Sequence, residues 1–228
     1  MRASLDRQPD EVAEMFDGVA RRYDNANDWL SMGQDRFWRR QVVRAVDPRP
    51  GELILDLAAG TGTSSEPLTG WGATVVPTDL SFGMVDIGKV RQPRLAFVNA
   101  NGLQLPYADG AFDTVTISFG LRNMENTRGA LTELRRVTKR GGRIVICEFS
   151  TPTSVQFRRL YNLYLVKFLP RIAKLASSNP LAYRYLSQSI LAWPTQRGLA
   201  DLMREVGWQN VDWKNLTGGI VALHRGTA

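Results

Sequence analysis

The segment Glu52-Leu-Ile-Leu-Asp-Leu-Ala-Ala-Gly-Thr-Gly62 joins an apolar strand, a terminal carboxylate and two glycines one residue apart. Glycine in such a turn permits positive φ and lets a ligand approach the backbone, and a helix starting at once turns its N–H groups toward that ligand. A glycine pair also serves as a plain strand-to-helix connector, so the neighbouring residues decide between the two roles. Asp56 closes the strand four residues before Gly60 and faces the turn. A dinucleotide-binding turn wants Gly or Ala three residues after the second glycine, and Ser65 stands there instead. A carboxylate at this strand end suits a positively charged ligand better than a pyrophosphate. Asp79 closes the next strand, 23 residues after Asp56, where an acidic side chain accepts hydrogen bonds from a ribose diol. Together the two carboxylates imply a nucleoside with a cationic tail, which is S-adenosylmethionine.

The elements that must hold these residues follow from periodicity. Short apolar runs bounded by turn residues mark buried parallel strands near Leu53–Leu57, Thr74–Pro77, Leu95–Val98, Thr114–Ser118 and Ile144–Glu148. Helices are expected between them at Thr63–Thr69, Phe82–Val90 and Arg128–Thr138. This alternation argues an open α/β sheet with right-handed crossovers. Before it, Pro9 to Tyr23 has helix-start chemistry, with Asp10 and Glu11 in the first turn and Val12, Met15, Phe16 and Val19 on one face. A Trp- and Arg-rich stretch from Asp24 to Arg44 reads as helical in its second half. After the sheet, Pro152 to Pro194 is helical, aromatic and basic. Gln196–Val206 is a further helix, and Asn210–Trp213 with Ile220–Leu223 form a closing strand pair across Thr217-Gly218-Gly219.

Composition narrows the class. The chain has 228 residues, 43% of them apolar and 22% charged, with 29 basic against 22 acidic residues and a formal charge of +7. No apolar run approaches the length of a membrane span, and Met1 to Asp10 lacks the apolar centre of a signal peptide. Cys147 and His224 are the single Cys and single His, which excludes an internal disulfide and a Cys/His metal cluster, so no metal is expected. A cytoplasmic protein fits these features. The basic excess points to an anionic partner, such as nucleic acid, an acidic ligand or the inner leaflet of a membrane, without choosing among them.

Asp56-Leu-Ala-Ala-Gly-Thr-Gly62, Asp79, Asn101-Gly102 and Phe112-Asp113 resemble the motifs of class I S-adenosylmethionine-dependent methyltransferases. A narrower resemblance lies in Arg22-Tyr-Asp-Asn-Ala-Asn-Asp-Trp-Leu-Ser31, continuing through Gly33 to Trp38, which is similar to the first signature of the ubiquinone/menaquinone C-methyltransferase family. Arg136-Val-Thr-Lys-Arg-Gly-Gly-Arg-Ile-Val-Ile-Cys-Glu-Phe-Ser150 resembles the second. Ser118-Phe-Gly-Leu-Arg-Asn123 and Asn215-Leu-Thr-Gly-Gly-Ile-Val-Ala-Leu-His224 are also similar to that family. Departures occur at Ala26, where the first signature often has Met, at Asp35, where it often has His, and at Asn101-Gly102, where Asp-Ala is usual. An Asn oxygen still accepts from an adenine amino group.

The resemblance implies a Rossmann-like class I methyltransferase fold, a seven-stranded sheet whose last strand is antiparallel, with helices on both faces. It implies a single domain over 1–228: an N-terminal helical cap (1–48), a cofactor-binding core (49–150), a helical insert after strand 5 (151–195), and a C-terminal helix and strand pair (196–228). By resemblance Gly60, Thr61 and Gly62 hug the methionine part of S-adenosylmethionine, with Asp56 orienting that loop. Asp79 takes the ribose, Asn101 and Gly102 the adenine, and Ser118 faces the sulfonium.

The implied reaction is methylation of a ring carbon of a demethylmenaquinol, a prenylated naphthoquinol. The family's other branch methylates the benzoquinol intermediate of ubiquinone synthesis, and Gln34-Asp35 leans toward the menaquinone branch. A quinol carbon becomes nucleophilic when an adjacent hydroxyl loses its proton, so a base or water relay and an oxyanion partner are required. Tyr23 is the candidate relay and Arg122 the candidate holder of a quinol oxygen, each with a structural alternative: helix-end packing for Tyr23 and a surface Arg–carboxylate pair for Arg122. Asp35 reads as a helix cap rather than the base, and His224 as structural. In the insert, Phe157, Tyr161, Tyr164, Phe168 and Ile172 form a stripe opposite Arg159, Lys167 and Lys174, with Pro170 expected to break the helix. Such a lid suits a polyprenyl tail, with its basic flank in peripheral contact with an anionic membrane on the inner face of the cell. A basic RNA-binding module is the alternative from another class, but the aromatics lie in helical patterns and no clustered basic tract is present, so nucleic acid is not the expected partner.

Overall fold

Alternate residues of the central strands bury on opposite faces of one sheet, and this is what the short apolar runs encode. Leu55 and Leu57 of β1 (Leu53–Leu57) join Val115, Ile117, Ile144 and Ile146 in one core, while Ile54, Val75, Val145 and Cys147 join a second core on the other side. The computed structural model describes residues 8–17, 33–169, 171 and 180–228. Tyr23, most of the first family signature, Pro170, Ile172 and Lys174 lie outside the described residues.

The sheet has seven strands in the order β3-β2-β1-β4-β5-β7-β6. β2 is Thr74–Asp79, β3 Val98–Asn99, β4 Phe112–Ser118 and β5 Thr138–Phe149. These run parallel to β1, and β7 (Val221–Thr227) inserts antiparallel between β5 and β6 (Gln209–Leu216). One face is covered by α5 (Thr127–Val137), through Leu131 and Leu134, and by α8 (Gln196–Glu205), through Leu199 and Met203. The other is covered by α2 (Gln34–Val46), through Trp38, Val42 and Val46, and by α4 (Phe82–Arg91), through Val85. α1 (Pro9–Asp17) packs beside α4.

Three expectations shift. The run Leu95–Val98 pairs only from Val98, because Leu95 and Phe97 are turn residues whose side chains fill the second core. The helix after the glycine turn shrinks to α3 (Glu66–Thr69). β5 begins at Thr138 rather than Ile144, since a register irregularity against β4 between Phe112 and Thr114 lets the ladder run on.

The insert after β5 comprises α6 (Val155–Leu163), a π-helical turn (Tyr164–Phe168) and α7 (Pro180–Leu191). Tyr161, Leu165, Leu169 and Ile190 form a separate small core that rests on Phe149 and Ile220. Among the described residues no helix is long and apolar enough to cross a membrane. Cys147 is fully buried mid-sheet, paired with Ser118 of β4 and Leu223 of β7, and burial pushes its thiol pKa up.

Candidate active site

Strand order reverses between β1 and β4, so the connections leaving their C-terminal ends diverge and open a crevice, the usual ligand site of such sheets. On the β1 side the chain turns through Ala58 (φ +54°), Gly60 (φ +58°) and Gly62 (φ +78°). Ala59 N–H donates to Thr78 O (3.2 Å) and Gly62 N–H to Ala59 O (3.0 Å). A Cβ on Gly60 meets nothing within 4 Å, so the turn faces open space there. A Cβ on Gly62 falls 2.6 Å from the Phe97 ring, and one on Gly102 falls 2.8 Å from Met124. The Cβ direction of Gly60 is thus open, while those of Gly62 and Gly102 are filled by Phe97 and Met124, so a side chain is excluded at both for reasons of packing.

The carboxylates are fixed by the same turn. Asp56 is buried and accepts from Ser65 Oγ at 2.6 Å. Burial pushes its pKa up to about 7, against the Ser65 hydrogen bond and helped by the nearby charge of Asp79. Asp79 Oδ2 accepts the Gly60 N–H and Oδ1 the Ser81 N–H, both at 2.8 Å. Burial raises its pKa too, opposed by these N–H groups and reinforced by Asp17. Ser81 caps α4 by accepting Met84 N–H (3.1 Å), and its hydroxyl donates to Asp17 of α1.

Asn101 Oδ1 accepts Leu103 N–H at 2.9 Å, which commits one of its lone pairs to a turn. Thr61 is buried, with Oγ1 3.1 Å from Thr63 Oγ1. Ser118 Oγ, at the tip of β4, is buried without a hydrogen-bond partner among the described residues. The hydroxyls of Thr114 and Thr116 on the same strand share this condition.

Beyond Ser118 the chain enters a second environment. Phe119 takes φ +58°, held by its N–H to Cys147 O (2.8 Å). A Cβ on Gly120 would lie 2.3 Å from Ala58 Cβ, so the two loops touch only because residue 120 is glycine. The rings of Trp38, Phe119 and Phe149 form a triangle with centroid separations of 5.6, 5.1 and 6.2 Å. Arg122, on the 3₁₀ turn Leu121–Asn123, is buried with its guanidinium 5.0 Å above Phe149. Arg122 Nη1 donates to Glu148 Oε1 at 2.9 Å and to Phe119 O, while Nε has no partner among the described residues. Glu148 also accepts the backbone N–H of Arg122 (3.2 Å) and of Phe149 (2.8 Å).

Asp56, Gly60, Thr61, Asp79, Asn101 and Ser118 thus sit at the C-terminal ends of β1 to β4, with Arg122 just beyond β4. Asp35 does not cap its helix: Gly33 holds that position, and Asp35 pairs with Arg39 one turn on. His224 is buried in β7, its Nε2 2.8 Å from Gln196 O. Sequence reasoning passed over Glu148, although a carboxylate closing a parallel strand is the signal that singled out Asp56 and Asp79. Asp17, Ser65 and Ser81 carried no such signal, because their partners are set by loop conformation.

The sheet order, its antiparallel seventh strand and the glycine turn after β1 together define a class I methyltransferase fold. Solved structures with this fold include a SAM-dependent methyltransferase from Thermotoga maritima (TM-score 0.69, 18% identity, covering 95% of this chain and 99% of that one). Another is from Aquifex aeolicus (TM-score 0.59, 15% identity, 83% and 88%). Residues 4–228 match the ubiE/COQ5 methyltransferase family, and the chain belongs to that family. Relatives named demethylmenaquinone methyltransferase include one from Streptomyces avermitilis, 60% identical over 99% of this chain and 97% of its own. One from Mycobacterium sp. (strain KMS) is 54% identical over 98% and 96%.

Proposed function

We propose that this enzyme transfers a methyl group from S-adenosylmethionine to a ring carbon of demethylmenaquinol, giving menaquinol. The observation that carries the reading is the similarity to relatives of that name over nearly the full chain, together with a crevice whose carboxylates suit a cationic nucleoside. S-adenosylmethionine supplies a methyl group on a sulfonium, which brings its own leaving group and needs no acid on the donor side.

This chain's residues then bind and orient. Asp79, pre-set by Gly60 and Ser81, takes the ribose hydroxyls, and Asn101 meets the adenine edge. Asp56 and Thr61 hold the turn around the methionine end, where a cation favours the ionised carboxylate. Ser118 Oγ points toward the reacting end. Arg122 steadies the acceptor's oxygen, with Glu148 fixing the guanidinium, and Phe119, Phe149 and Trp38 exclude water around a flat ring. Tyr23, outside the described residues, is the proposed proton relay on sequence grounds. The N-terminal cap and the insert act with the core as one methyltransferase unit over 1–228. The acceptor's prenyl tail places the work at the cytoplasmic face of the cell membrane.

A methyl-transfer assay with labelled S-adenosylmethionine and a reduced short-tail demethylmenaquinol tests this, with the matching benzoquinol in parallel. Label on the naphthoquinol ring is expected. Label on the benzoquinol alone moves the chain to the ubiquinone branch, and label on neither overturns the substrate reading.

A further inference from the structure

We propose that the outer face of α6 and the π-helical turn, from Val155 to Phe168, lies with Arg171 on an anionic lipid bilayer. Val155, Leu160, Leu163, Val166 and Phe168 are between 40% and 62% exposed. They are half of the exposed large apolar side chains among the described residues, gathered in one short stretch. The opposite side of the same stretch is satisfied: Tyr161, Leu165 and Leu169, at steps of four, are buried against Ile190, Phe149 and Ile220. This fixes the orientation. The row Val155, Arg159, Leu163 and Val166 points away from the protein, and Leu160, Lys167 and Arg171 flank it.

Charge selects the occupant. Residues 149–200 hold seven Arg and Lys and no Asp or Glu, so the whole formal charge of +7 resides there and the remainder is balanced at 22 of each sign. Arg159, Lys167 and Arg171 are exposed among the outward leucines and valines. Apolar side chains interleaved with long cations match the boundary between acyl chains and anionic headgroups, where the stems snorkel. A second copy docking by a two-fold contact would place like charges against each other, which the segment offers no acid to relieve. A bilayer presents the opposite sign over its whole surface.

The proposed acceptor supplies the purpose of this contact, but the contact itself is read without methyl transfer, so the two readings fail separately. The full chain is floated with phosphatidylcholine vesicles and with vesicles of equal parts phosphatidylcholine and phosphatidylglycerol. Binding to the anionic vesicles alone, weakened by salt, is expected. The variant Arg159→Gln/Lys167→Gln/Arg171→Gln should lose about a hundredfold in partitioning. Leu160→Gln/Leu163→Gln/Val166→Gln should lose about tenfold or more. Both should keep the parent's rate on a short-tail, water-soluble acceptor. No binding to anionic vesicles, equal binding to neutral ones, or unchanged binding of both variants would overturn the proposal. So would dimerisation or RNA retention abolished by the same substitutions in the absence of vesicle binding.

Discussion

The Asp17 carboxylate at the end of α1 accepts both the Ser81 hydroxyl and the Gly83 N–H (3.0 Å), tying the N-terminal helix to the first turn of α4. Ser81 in turn donates its backbone N–H to Asp79, so the position of α1 is felt at the carboxylate proposed to hold the ribose. A negative group at a helix N-terminus is favourable, and charge-assisted hydrogen bonds are about twice as strong as neutral ones.

Asp17→Ala removes these contacts while leaving the sheet intact. Cofactor affinity should fall about tenfold, the equivalent of ~1.4 kcal/mol, with little change in the unfolding midpoint. Calorimetric titration with S-adenosylmethionine alongside a thermal melt separates the two effects. Undiminished affinity would mean that α1 does not reach the site through Ser81.

Asp56 gives a pH signature. Its native pKa of about 7 lies above an unfolded carboxylate value of about 4, so the native state keeps a proton that the unfolded chain has already lost. Stability of the ligand-free enzyme should therefore decline as pH rises between these values, by up to about 1.4 kcal/mol per pH unit. Asp56→Asn should flatten that slope in urea denaturation series. Binding a cationic ligand beside the carboxylate favours ionisation, so the parent should release a proton on binding below neutral pH. Calorimetry in buffers of different ionisation enthalpy reads that release, and the Asn variant should lack it.

His224 works in the opposite direction. Burial lowers its pKa, partly offset by the bond to Gln196 O, so the ring is neutral in the native state and Nε2 carries the proton it donates. The unfolded chain takes up a proton as pH falls through about 6.5, and stability present above that value is lost below it. His224→Gln should remove this acid-side loss, as seen in unfolding midpoints measured at mildly acidic and neutral pH.

Arg122 and Glu148 form a buried pair, and removing one partner strands the other. Arg122→Met should cost about 3 to 5 kcal/mol by chemical denaturation. Adding Glu148→Gln should recover about 1 kcal/mol, since the amide removes the stranded charge and its one oxygen still accepts one of the two backbone N–H groups, of residues 122 and 149, that separate carboxylate oxygens accept in the parent. The double variant should bind S-adenosylmethionine and fail to methylate. Full activity in it would take Arg122 out of the acceptor site.

The strand positions were legible because their alternation is local: Leu53–Leu57 is both the expected run and the observed β1. Asp56 and Asp79 were legible for the same reason, as carboxylates ending parallel strands. The packing around Gly62 was not: a side chain there is forbidden by Phe97, 35 residues away and placed by a turn that periodicity misreads as a strand. Asp17 likewise meets Ser81 only because α1 folds back on α4, a tertiary fact without a sequence period. Phe119 shows the limit from another side: its left-handed backbone depends on Cys147 O, supplied by a neighbouring strand.

Cys147 is the chain's single thiol, and its position between β4 and β7 makes it a built-in stopwatch. Its side chain faces the second core beneath α2, so a thiol reagent reaches it when α2 lifts off that face or the sheet itself comes apart. Labelling kinetics in the native buffer therefore count openings of that face, one per reacted molecule. A ligand seated across the ends of β1 and β4 should slow that count in proportion to its saturation of the folded state. The enzyme thus carries its own ligand-binding gauge, readable without substrate turnover or an added probe site.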